Sequence, residues 1–490
     1  MRKIGIVASG STQSQATVLL NAGEEKKVKA EDLVLVKNKG GNEILAVCRS
    51  GMGVNENLKA GQFSPGVAYA RMGKNPSNAK EFYAFDLSTL GDVASGRLQE
   101  NRFIIAPSSD VELFEEEDNP MRYLGDATAQ TFTLGHYKEK TAWRVPVDPA
   151  FLCYHIGVFS ITGSGKSFLA RCQLIPTLME AGYDVIVFDW KGSDYVPHFK
   201  TTLDFTQIAL DEDTVTSYLS SKADYFGYSW EQKTRNPIRS TLDEVVYQGG
   251  WRQKEDAEEL KAFLLKEVLE RLRSEYTDRT GQLTTYGREY VRKFERHLAK
   301  LKPLDLQAIM GRKTLNEIEK LLREEHCIVI DLSLGGDEQK LSVFLSIGKH
   351  FQALMEQKQT LNVALVIDEG PQFCPFSPEG IRGETTELIS RLCALGRSYR
   401  LAVVLLSQGI AGDIGINAAV RRNLNTQFIG RLHPLDLAEA MNLLGAQSRL
   451  RPEDLVNMPE GHFYMTGKLS KSPVPIMMTF QIPEKEKRTK

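Results

Sequence analysis

The spacing of apolar residues divides the chain into regions of different character. Up to about residue 95, the apolar residues form short runs such as ATVLL, DLVLV and EILAVC, separated by polar turns such as NAGEEKK and NKGGNE. Short runs rich in Val, Ile and Leu between turns are typical of a small barrel or sandwich. We therefore predict an N-terminal β-barrel over residues 1–95 and a connecting region over residues 96–150.

From residue 151 onward, strand-like and helix-like segments alternate. HIGVFS is typical of a strand, SGKSFLARCQLIPTLMEAG of a helix and YDVIVFDW of a second strand. A strand, loop, helix and strand in succession form a βαβ unit, which predicts a parallel sheet covered by helices. Further strands are predicted at CIVIDLS, VALVID, LAVVLLS and TQFIGRL.

A long helical segment separates these strands. Its apolar side chains recur at the spacing of one helix face, as in Leu260, Leu264, Val268 and Leu272. We predict an α/β core with a mostly parallel sheet over residues 151–202 and 326–480, a helical insertion over residues 203–325, and a charged tail over residues 481–490.

Composition and charge limit the functions that the chain can have. Lys and Arg together number 61 against 63 for Asp and Glu, which excludes a uniformly basic coat around nucleic acid. A basic loop or pore lining remains open, since opposite charges cancel in the sum. Six cysteines without a CxxC pair indicate reduced thiols. No apolar run approaches the ~18 residues of a membrane span, so we predict a soluble, cytoplasmic protein.

The stretch SITGSGKSF, residues 160–168, has the elements of a phosphate-binding loop between a strand and a helix. Gly163 and Gly165 let backbone N–H groups curl around phosphates, and Lys166 can reach the β- and γ-phosphates. Ser167 supplies a hydroxyl for Mg²⁺ at the start of the helix, where the helix dipole favours an anion. The alternative is a Gly/Ser turn that only joins strand to helix.

The first residue of this loop departs from the usual pattern, because Ser160 stands where glycine is expected. The strand exit is the position least involved in wrapping the phosphate, so a small residue with a negative φ can serve there. We therefore predict that the loop binds ATP through Thr162, Gly163, Ser164, Gly165, Lys166, Ser167 and Phe168.

Hydrolysis also needs carboxylates, and LNVALVIDEGPQF supplies two at the end of an apolar strand. Ligands of α/β sheets lie at the carboxyl ends of the strands. We predict that Asp368 acts on Mg²⁺, mostly through bound water, and that Glu369 polarises the attacking water. A plain loop start with two acidic residues is the alternative interpretation.

Two further polar residues follow predicted strands. Gln408 ends LAVVLLSQ, where it can hydrogen-bond the γ-phosphate or the attacking water, although a surface amide is the alternative. Asp331 ends the strand in VIDLS, and we predict a structural role or support of the catalytic residues for it.

Arginines are candidates because negative charge develops on the γ-phosphoryl oxygens during transfer. Arg391, Arg397 and Arg400 precede the LAVVLLSQ strand, and one of them can enter a neighbouring subunit's site. We rank Arg397 first and Arg391 second for this finger role. Arg421 and Arg422 are candidates for a finger or a DNA contact. For each arginine alone, a solvated helix charge is the alternative.

The ordered motifs resemble the HerA family of hexameric DNA translocases, within the HerA–FtsK class of motor ATPases. GIVASGSTQSQATVLLNAGEEKKVKAEDLVLV resembles the family's N-terminal HAS-type barrel, and VPVDPAFLCYHIGVFSITGSGKS resembles the approach to its phosphate loop. VIVFDWKGSDY, VIDEGPQF, GRSYRLAVVLLSQ, NLNTQFIGRLHPLD and PEGHFYMTG follow in the family's order. The departures are Ser160, the KGSDY turn and the region of Ala394, where relatives often carry a further arginine.

The resemblance implies a RecA-like core, ATP and Mg²⁺ as cofactors, and a homo-hexameric ring with double-stranded DNA in its central pore. It also implies a NurA-like nuclease partner, as in DNA end resection, or another effector of antiviral defence. We expect the barrel to dock that partner, because it is a compact module outside the motor. Lys191, after the second core strand, is a candidate for a DNA phosphate contact, with a solvated lysine as the alternative.

Two other functions stay open at this point. Motors of the same class move protein or single-stranded DNA. A nucleotide-gated ring can also organise and activate an effector without processive movement along DNA.

Overall fold

The computed structural model describes residues 1–59, 64–74, 81–125, 132–221 and 237–481. The chain divides into two compact units. Unit one comprises Met1–Thr177, Ser407–Gly415 and Leu424–Lys490, and unit two comprises Leu178–Leu406 and Ile416–Asn423. Among the described residues, no helix is both long and apolar enough to span a bilayer.

Unit one begins with a closed antiparallel barrel. Its strands are β1 (Arg2–Val7), β2 (Gln15–Leu20), β3 (Leu33–Lys37), β4 (Glu43–Asn55), β5 (Glu81–Asp92) and β6 (Asp110–Leu113). The order around the barrel is β1-β2-β5-β4-β3-β6, and β6 pairs with β1 to close it. Alternating side chains such as Val18, Val34 and Leu87 fill the interior and are fully buried. The predicted N-terminal barrel is therefore present.

The barrel extends past the predicted boundary at residue 95, because β6 lies within the predicted connecting region. Its sequence, DVEL, is short and half acidic, so it does not stand out as a strand. Val111 is nonetheless completely buried, since β6 closes the gap between β1 and β3.

Eleven further strands follow in chain order among the described residues. They are β7 (Phe132–Tyr137), β8 (Lys140–Val147), β9 (Ile156–Phe159), β10 (Asp184–Asp189), β11 (Thr202–Asp204), β12 (Cys327–Asp331), β13 (Val363–Ile367), β14 (Leu401–Ser407), β15 (Thr426–Ile429), β16 (Phe463–Gly467) and β17 (Ile476–Thr479).

The two units use these strands differently. In unit one, β9 pairs in parallel with β15, and the order continues antiparallel through β16, β17, β7 and β8. In unit two, the order β11-β12-β10-β13-β14 is parallel throughout. Strands β10, β13 and β14 are buried along their whole length, as expected for a parallel sheet covered on both faces. The α/β class with a mostly parallel sheet is thus confirmed.

Helices surround the parallel strands of unit two. Between β11 and β12 the described residues form helices at Glu212–Ser221, Pro237–Tyr247, Ala257–Glu275, Thr285–Lys300, Pro303–Gln307 and Leu315–Glu325. Further helices lie at Asp337–Glu356, Gly370–Phe373, Ile381–Gly396 and Ala418–Asn423. Unit one has helices at Pro65–Arg71, Leu437–Leu444 and Pro452–Val456. A further helical run begins at Lys166.

A buried ion pair joins the barrel to the C-terminal strands within unit one. The Arg49 side chain is only 1% exposed, and its Nε donates to Glu31 Oε1 at 2.9 Å. Its Nη1 and Nη2 donate to the backbone carbonyls of Ser448 and Pro475. Tyr464 Oη donates to the same Glu31 oxygen at 3.1 Å. Each guanidinium nitrogen therefore has an acceptor, which is the condition for burying an arginine.

This network yields a stability prediction. Replacing Arg49 by Met leaves Glu31 charged and buried, so we expect the free energy of unfolding to fall by about 3–5 kcal/mol. The thermal midpoint of Arg49→Met should fall accordingly, and Arg49→Met combined with Glu31→Met should recover part of the loss. The matched control is Arg102→Met, whose ion pair with Glu100 is exposed. Equal midpoints for Arg49→Met and Arg102→Met would contradict the role of the buried pair.

Candidate functional site

The predicted phosphate loop lies in unit one, directly after β9. Gly163 has φ 77° and Gly165 has φ 101°, both in the left-handed region that strains residues with a side chain. These glycines curl the backbone between β9 and a helix that begins at Lys166. A backbone of this shape presents successive N–H groups at a helix start, which is the arrangement that phosphate binding requires.

The helix after the loop contains one widened turn, and Pro176 explains it. Proline has no N–H and its ring crowds the carbonyl four residues earlier, so the run changes from α to π geometry over Ala170–Leu174. The Cys172 carbonyl instead accepts from the Gln173 side chain at 2.8 Å. The same Gln173 amide accepts from the Gly135 backbone at 2.8 Å, which ties the helix to β7. The loop therefore rests on a fixed helix.

Ser160, the departure from the usual loop pattern, is completely buried and has a defined place. Its N–H donates to the Ser407 carbonyl at 3.1 Å, and its Oγ donates to the Arg431 carbonyl at 2.8 Å. It does not occur among the residues with positive φ. Gly430 makes room for it, because a Cβ there would lie 2.5 Å from Ser160 Oγ. The serine thus stabilises the strand exit and leaves the loop's curvature unchanged.

Polar side chains of unit one converge on the loop. Lys166 Nζ donates to the carbonyls of Ser160 and Ile161 at 2.6 and 3.0 Å, so the lysine lies along its own loop. Thr162 Oγ1 donates to Gln408 Oε1 at 2.8 Å, which brings the predicted Gln408 to the loop. Sequence reasoning missed Gly461, whose N–H donates to the Ser164 carbonyl at 2.9 Å and which belongs to a distant turn.

The packing of Ser160 against Gly430 yields a second prediction. Gly430→Ala should lower the thermal midpoint of the chain, because its Cβ meets both Ser160 and Phe463. In the Ser160→Gly background the same change should cost much less, since the closest contact is gone. Ser160→Gly alone should keep ATP affinity within about threefold. Additive losses in the double variant would show that the two positions are not coupled.

In unit two, three strands end in aspartates at the same level. The parallel register pairs Asp189 of β10 with Asp331 of β12. It also pairs Phe188 with Ile367, so Asp368 follows β13 at the level of Asp189. Like charges so placed repel one another, and each carboxylate needs its own compensation. Different local contacts surround the carboxylate at each of the three strands.

Asp189 is compensated by backbone N–H groups of the loop that follows it. Its Oδ1 accepts from Gly192 at 2.9 Å, and its Oδ2 accepts from Tyr195 at 2.9 Å and Val196 at 3.2 Å. The residue is completely buried, so these bonds replace the water that the carboxylate loses on folding. The loop over residues 189–196 is therefore folded around its first residue.

Asp331 supports the same loop from the neighbouring strand. Its Oδ1 accepts from the Ser333 backbone at 2.9 Å. Gly192 has φ 70°, and a Cβ there would lie 2.8 Å from that oxygen and 2.7 Å from Ser333 Cβ. This close approach requires glycine, and these contacts are those of a structural residue.

Asp368 is the carboxylate with the least compensation. It is 3% exposed, and its Oδ1 accepts from the Glu369 backbone at 3.0 Å. Its Oδ2 has no hydrogen-bond partner among the described residues. Burial first, then the charges of Glu369, Asp194 and Asp189, raise the pKa of Asp368 from 3.8 to about 7. A buried, unsatisfied oxygen of this kind fits a cation or its bound water.

Glu369 adopts a left-handed backbone with φ 52° at the start of the helix Gly370–Phe373. Left-handed geometry is unusual for glutamate, and such residues often occur where the surrounding structure holds a functional group in place. The Glu369 carboxylate is 15% exposed and forms an ion pair with Lys191 Nζ. Sequence reasoning proposed Lys191 as a DNA contact, and this pairing across 178 positions carries no local sequence signal.

Mg²⁺ was predicted as a cofactor, and its chemistry can be compared with the oxygen atoms of these side chains. Among residues 1–59, 64–74, 81–125, 132–221 and 237–481, no group of three or more His, Cys, Asp or Glu is placed to hold a metal ion. Mg²⁺ bound with a nucleotide typically uses one or two protein oxygens, phosphates and waters, and does not need such a cage. The orphaned oxygen of Asp368 therefore fits a cation such as Mg²⁺. The roles of Asp368 and of Ser167 as Mg²⁺ ligands stay predictions.

The predicted arginines lie in unit two, and all are exposed or half-buried. Arg391 pairs with Glu387 one turn earlier on its helix. Arg397 follows that helix, and Arg400 lies over the Tyr183 ring at 5.2 Å. Arg421 and Arg422 lie at the end of the helix Ala418–Asn423. Their finger and DNA roles stay predictions.

The buried charge of Asp368 yields a pH prediction. Its pKa is raised by folding, so the folded chain holds a proton that the unfolded chain releases, and stability falls as pH rises from about 4 to about 7. Asp368→Asn cannot ionise. Between about pH 5 and about pH 8, its free energy of unfolding should rise relative to that of the parent, by at most roughly 4 kcal/mol. Its thermal midpoint should rise relative to that of the parent over the same pH range. A midpoint difference independent of pH would contradict the raised pKa.

Comparison with known families agrees with this arrangement of loop and strands. Residues 132–350 match the family model DUF87, described as the central domain of the helicase HerA. The match covers less than half of the chain, so it shows that residues 132–350 are similar to a HerA central domain. The matched residues contain the phosphate loop and Lys191, whereas Asp368, Glu369 and Gln408 lie beyond them. A search of the curated proteins found no significant match.

Solved structures are similar to this chain at the level of fold. VirB4 of Thermoanaerobacter pseudethanolicus has 15% identity and a TM-score of 0.51, covering 74% of this chain and 100% of that chain. The bacterial conjugative coupling protein TrwB has 13% identity and a TM-score of 0.46, covering 76% and 93%. The genome packaging NTPase B204 from Sulfolobus turreted icosahedral virus 2 has 11% identity and a TM-score of 0.33, covering 68% and 99%. The VirB4 likeness supports the predicted RecA-like P-loop core.

Proposed function

We propose that this protein hydrolyses ATP and uses the energy to move along double-stranded DNA. The observation that carries the proposal is the phosphate loop in the region that is similar to the HerA central domain. Its two left-handed glycines precede a helix that begins at Lys166. The name of the matching family, a helicase, favours DNA as the substrate on which the energy is spent.

Each predicted catalytic residue has a distinct role in this proposal. Lys166 binds the β- and γ-phosphates and stabilises the charge that develops on them. Glu369 accepts a hydrogen bond from the attacking water and orients it. Gln408 hydrogen-bonds the γ-phosphate or that water, and its hydrogen bond with Thr162 of the loop supports this role. Ser167 and Asp368 would hold Mg²⁺, which would neutralise phosphate charge.

The assembly of the protein is part of the proposal. We infer a homo-hexameric ring with duplex DNA in its pore, and Arg397 or Arg391 contributes the finger to a neighbouring subunit. The motif order, which resembles HerA, supports this. Arg422 is exposed near the end of its helix, as a residue that contacts DNA phosphates must be. The net charge of the chain is close to zero and offers no general attraction to DNA. The basic residues that contact DNA must therefore be concentrated in one part of the surface.

The effector is the least specified element of the proposal. A NurA-like nuclease or another defence effector would dock on the barrel, and strand separation would follow from movement along the duplex. The alternative is a nucleotide-gated ring that activates the effector without processive movement. A Glu369→Gln chain that binds ATP, assembles and activates the effector fully would favour that scaffold.

Turnover experiments test the proposed activity. Linear duplex DNA should raise ATP turnover of the full chain, and added salt should weaken the stimulation, because phosphate contacts release counterions. Lys166→Ala and Glu369→Gln should each lower turnover at least about 100-fold, while Glu369→Gln keeps ATP binding. Lys320→Ala, on an exposed helix face, is the control. Turnover that persists in Lys166→Ala would contradict the assignment of the loop.

A further inference from the structure

Lys191 and Glu369 meet in unit two although 178 positions separate them in the sequence. Lys191 lies in the loop after β10, and Glu369 lies in the turn after β13. The lysine side chain is 46% exposed, whereas the carboxylate is 15% exposed. The ion pair thus joins the carboxylate that we propose orients the attacking water to a loop without a role in that reaction.

Hydrogen bonds hold both backbones that carry the pair. In the turn, the Glu369 N–H donates to Asp368 Oδ1 at 3.0 Å, and the Gln372 N–H donates to the Glu369 carbonyl at 2.8 Å. Asp189 accepts backbone hydrogen bonds from Gly192, Tyr195 and Val196, which closes the loop around Lys191. Fixed backbones at both ends mean that the ion pair is part of a prebuilt arrangement.

A second set of contacts joins the two segments directly. The Trp190 carbonyl accepts from Lys340 Nζ at 3.2 Å, and the same ammonium lies 4.3 Å from the centre of the Trp190 ring. Trp190 also meets Phe373 edge to face, with 5.3 Å between ring centres. Phe373 ends the short helix that Glu369 begins. Side-chain packing therefore fixes the distance between the Lys191 loop and the Glu369 turn.

The surrounding charges explain why a cation is needed at this point. Burial lowers the pKa of Lys191, but its hydrogen bond to Glu369 and the charges of Asp368 and Asp194 outweigh burial and raise it. The ammonium therefore lies among three carboxylates. Without it, the Glu369 carboxylate would lie beside the Asp368 carboxyl with no cation to hold its position.

We propose that Lys191 is a positioning residue that holds the Glu369 carboxylate in place for the attacking water. This inference rests on the proposed ATP hydrolysis. The ammonium fixes one carboxylate oxygen, so the side chain loses little further freedom when water and nucleotide bind. In this role the Lys191 ammonium binds the Glu369 carboxylate of its own chain. As a DNA contact it would instead bind a phosphate of the DNA. The two roles predict different kinetic consequences.

The test compares the full chain with Lys191→Met and Lys191→Arg in ATP turnover, duplex DNA affinity and thermal midpoint. We expect Lys191→Met to lower kcat at least about tenfold, with KM for ATP and DNA affinity within about threefold of the parent. Lys191→Arg keeps the charge and should restore most of the lost kcat. The control, Lys200→Met, removes a lysine of the same unit that is 87% exposed, and it should leave all four quantities unchanged.

Each other outcome rejects the inference in a different way. Weaker DNA binding with unchanged kcat in Lys191→Met would make Lys191 a DNA contact. Unchanged kcat and unchanged DNA affinity would make the ion pair incidental. Loss of kcat in Lys191→Met that Lys191→Arg does not relieve, with a lowered midpoint in both, would indicate a folding defect instead of positioning. No turnover in the parent chain would overturn the proposed function itself, and with it any role of Lys191 in turnover.

Discussion

Crowding of negative charge at the carboxyl ends of parallel strands is the constraint on which unit two depends. The register that builds the sheet also brings Asp189, Asp331 and Asp368 to one level. At each strand, a different local feature compensates this repulsion. Backbone N–H groups compensate Asp189, a close glycine turn accommodates Asp331, and Asp368 has a pKa raised to about 7. The remaining charge, on Glu369, is matched by Lys191.

In unit one the main constraint is the shape of the loop backbone, which must curl around phosphates. Two left-handed glycines set the curvature, and the helix beyond them is fixed through the widened turn before Pro176. The serine that opens the loop is compatible with this shape because Gly430 gives its side chain space. A departure from a motif is therefore interpreted best with the residue that it packs against, even one 270 positions away. Here the serine adds a hydrogen bond to the Arg431 carbonyl, which a glycine could not make.

The sequence was informative wherever a property is local. Apolar runs such as VALVI and LAVVLLS predicted strands because parallel strands are buried along their length. The loop at residues 160–168 was predictable because its glycines act on their own backbone. Long-range properties were not predictable: DVEL becomes a strand only because it closes the barrel, and Arg49 is buried only because partners from the C-terminal segment surround it. The Lys191–Glu369 pair belongs to the same class, since two separate turns must fold before the residues meet.

We propose that ATP turnover drives movement along duplex DNA. The most direct test is displacement of a third DNA strand from the duplex. A third strand bound at one end of a linear duplex is released when a motor travels through it. We expect release that requires ATP and is lost in Lys166→Ala and Glu369→Gln. ATP turnover stimulated by the same duplex, without release of the third strand, would contradict the claim of movement and would favour a nucleotide-gated scaffold.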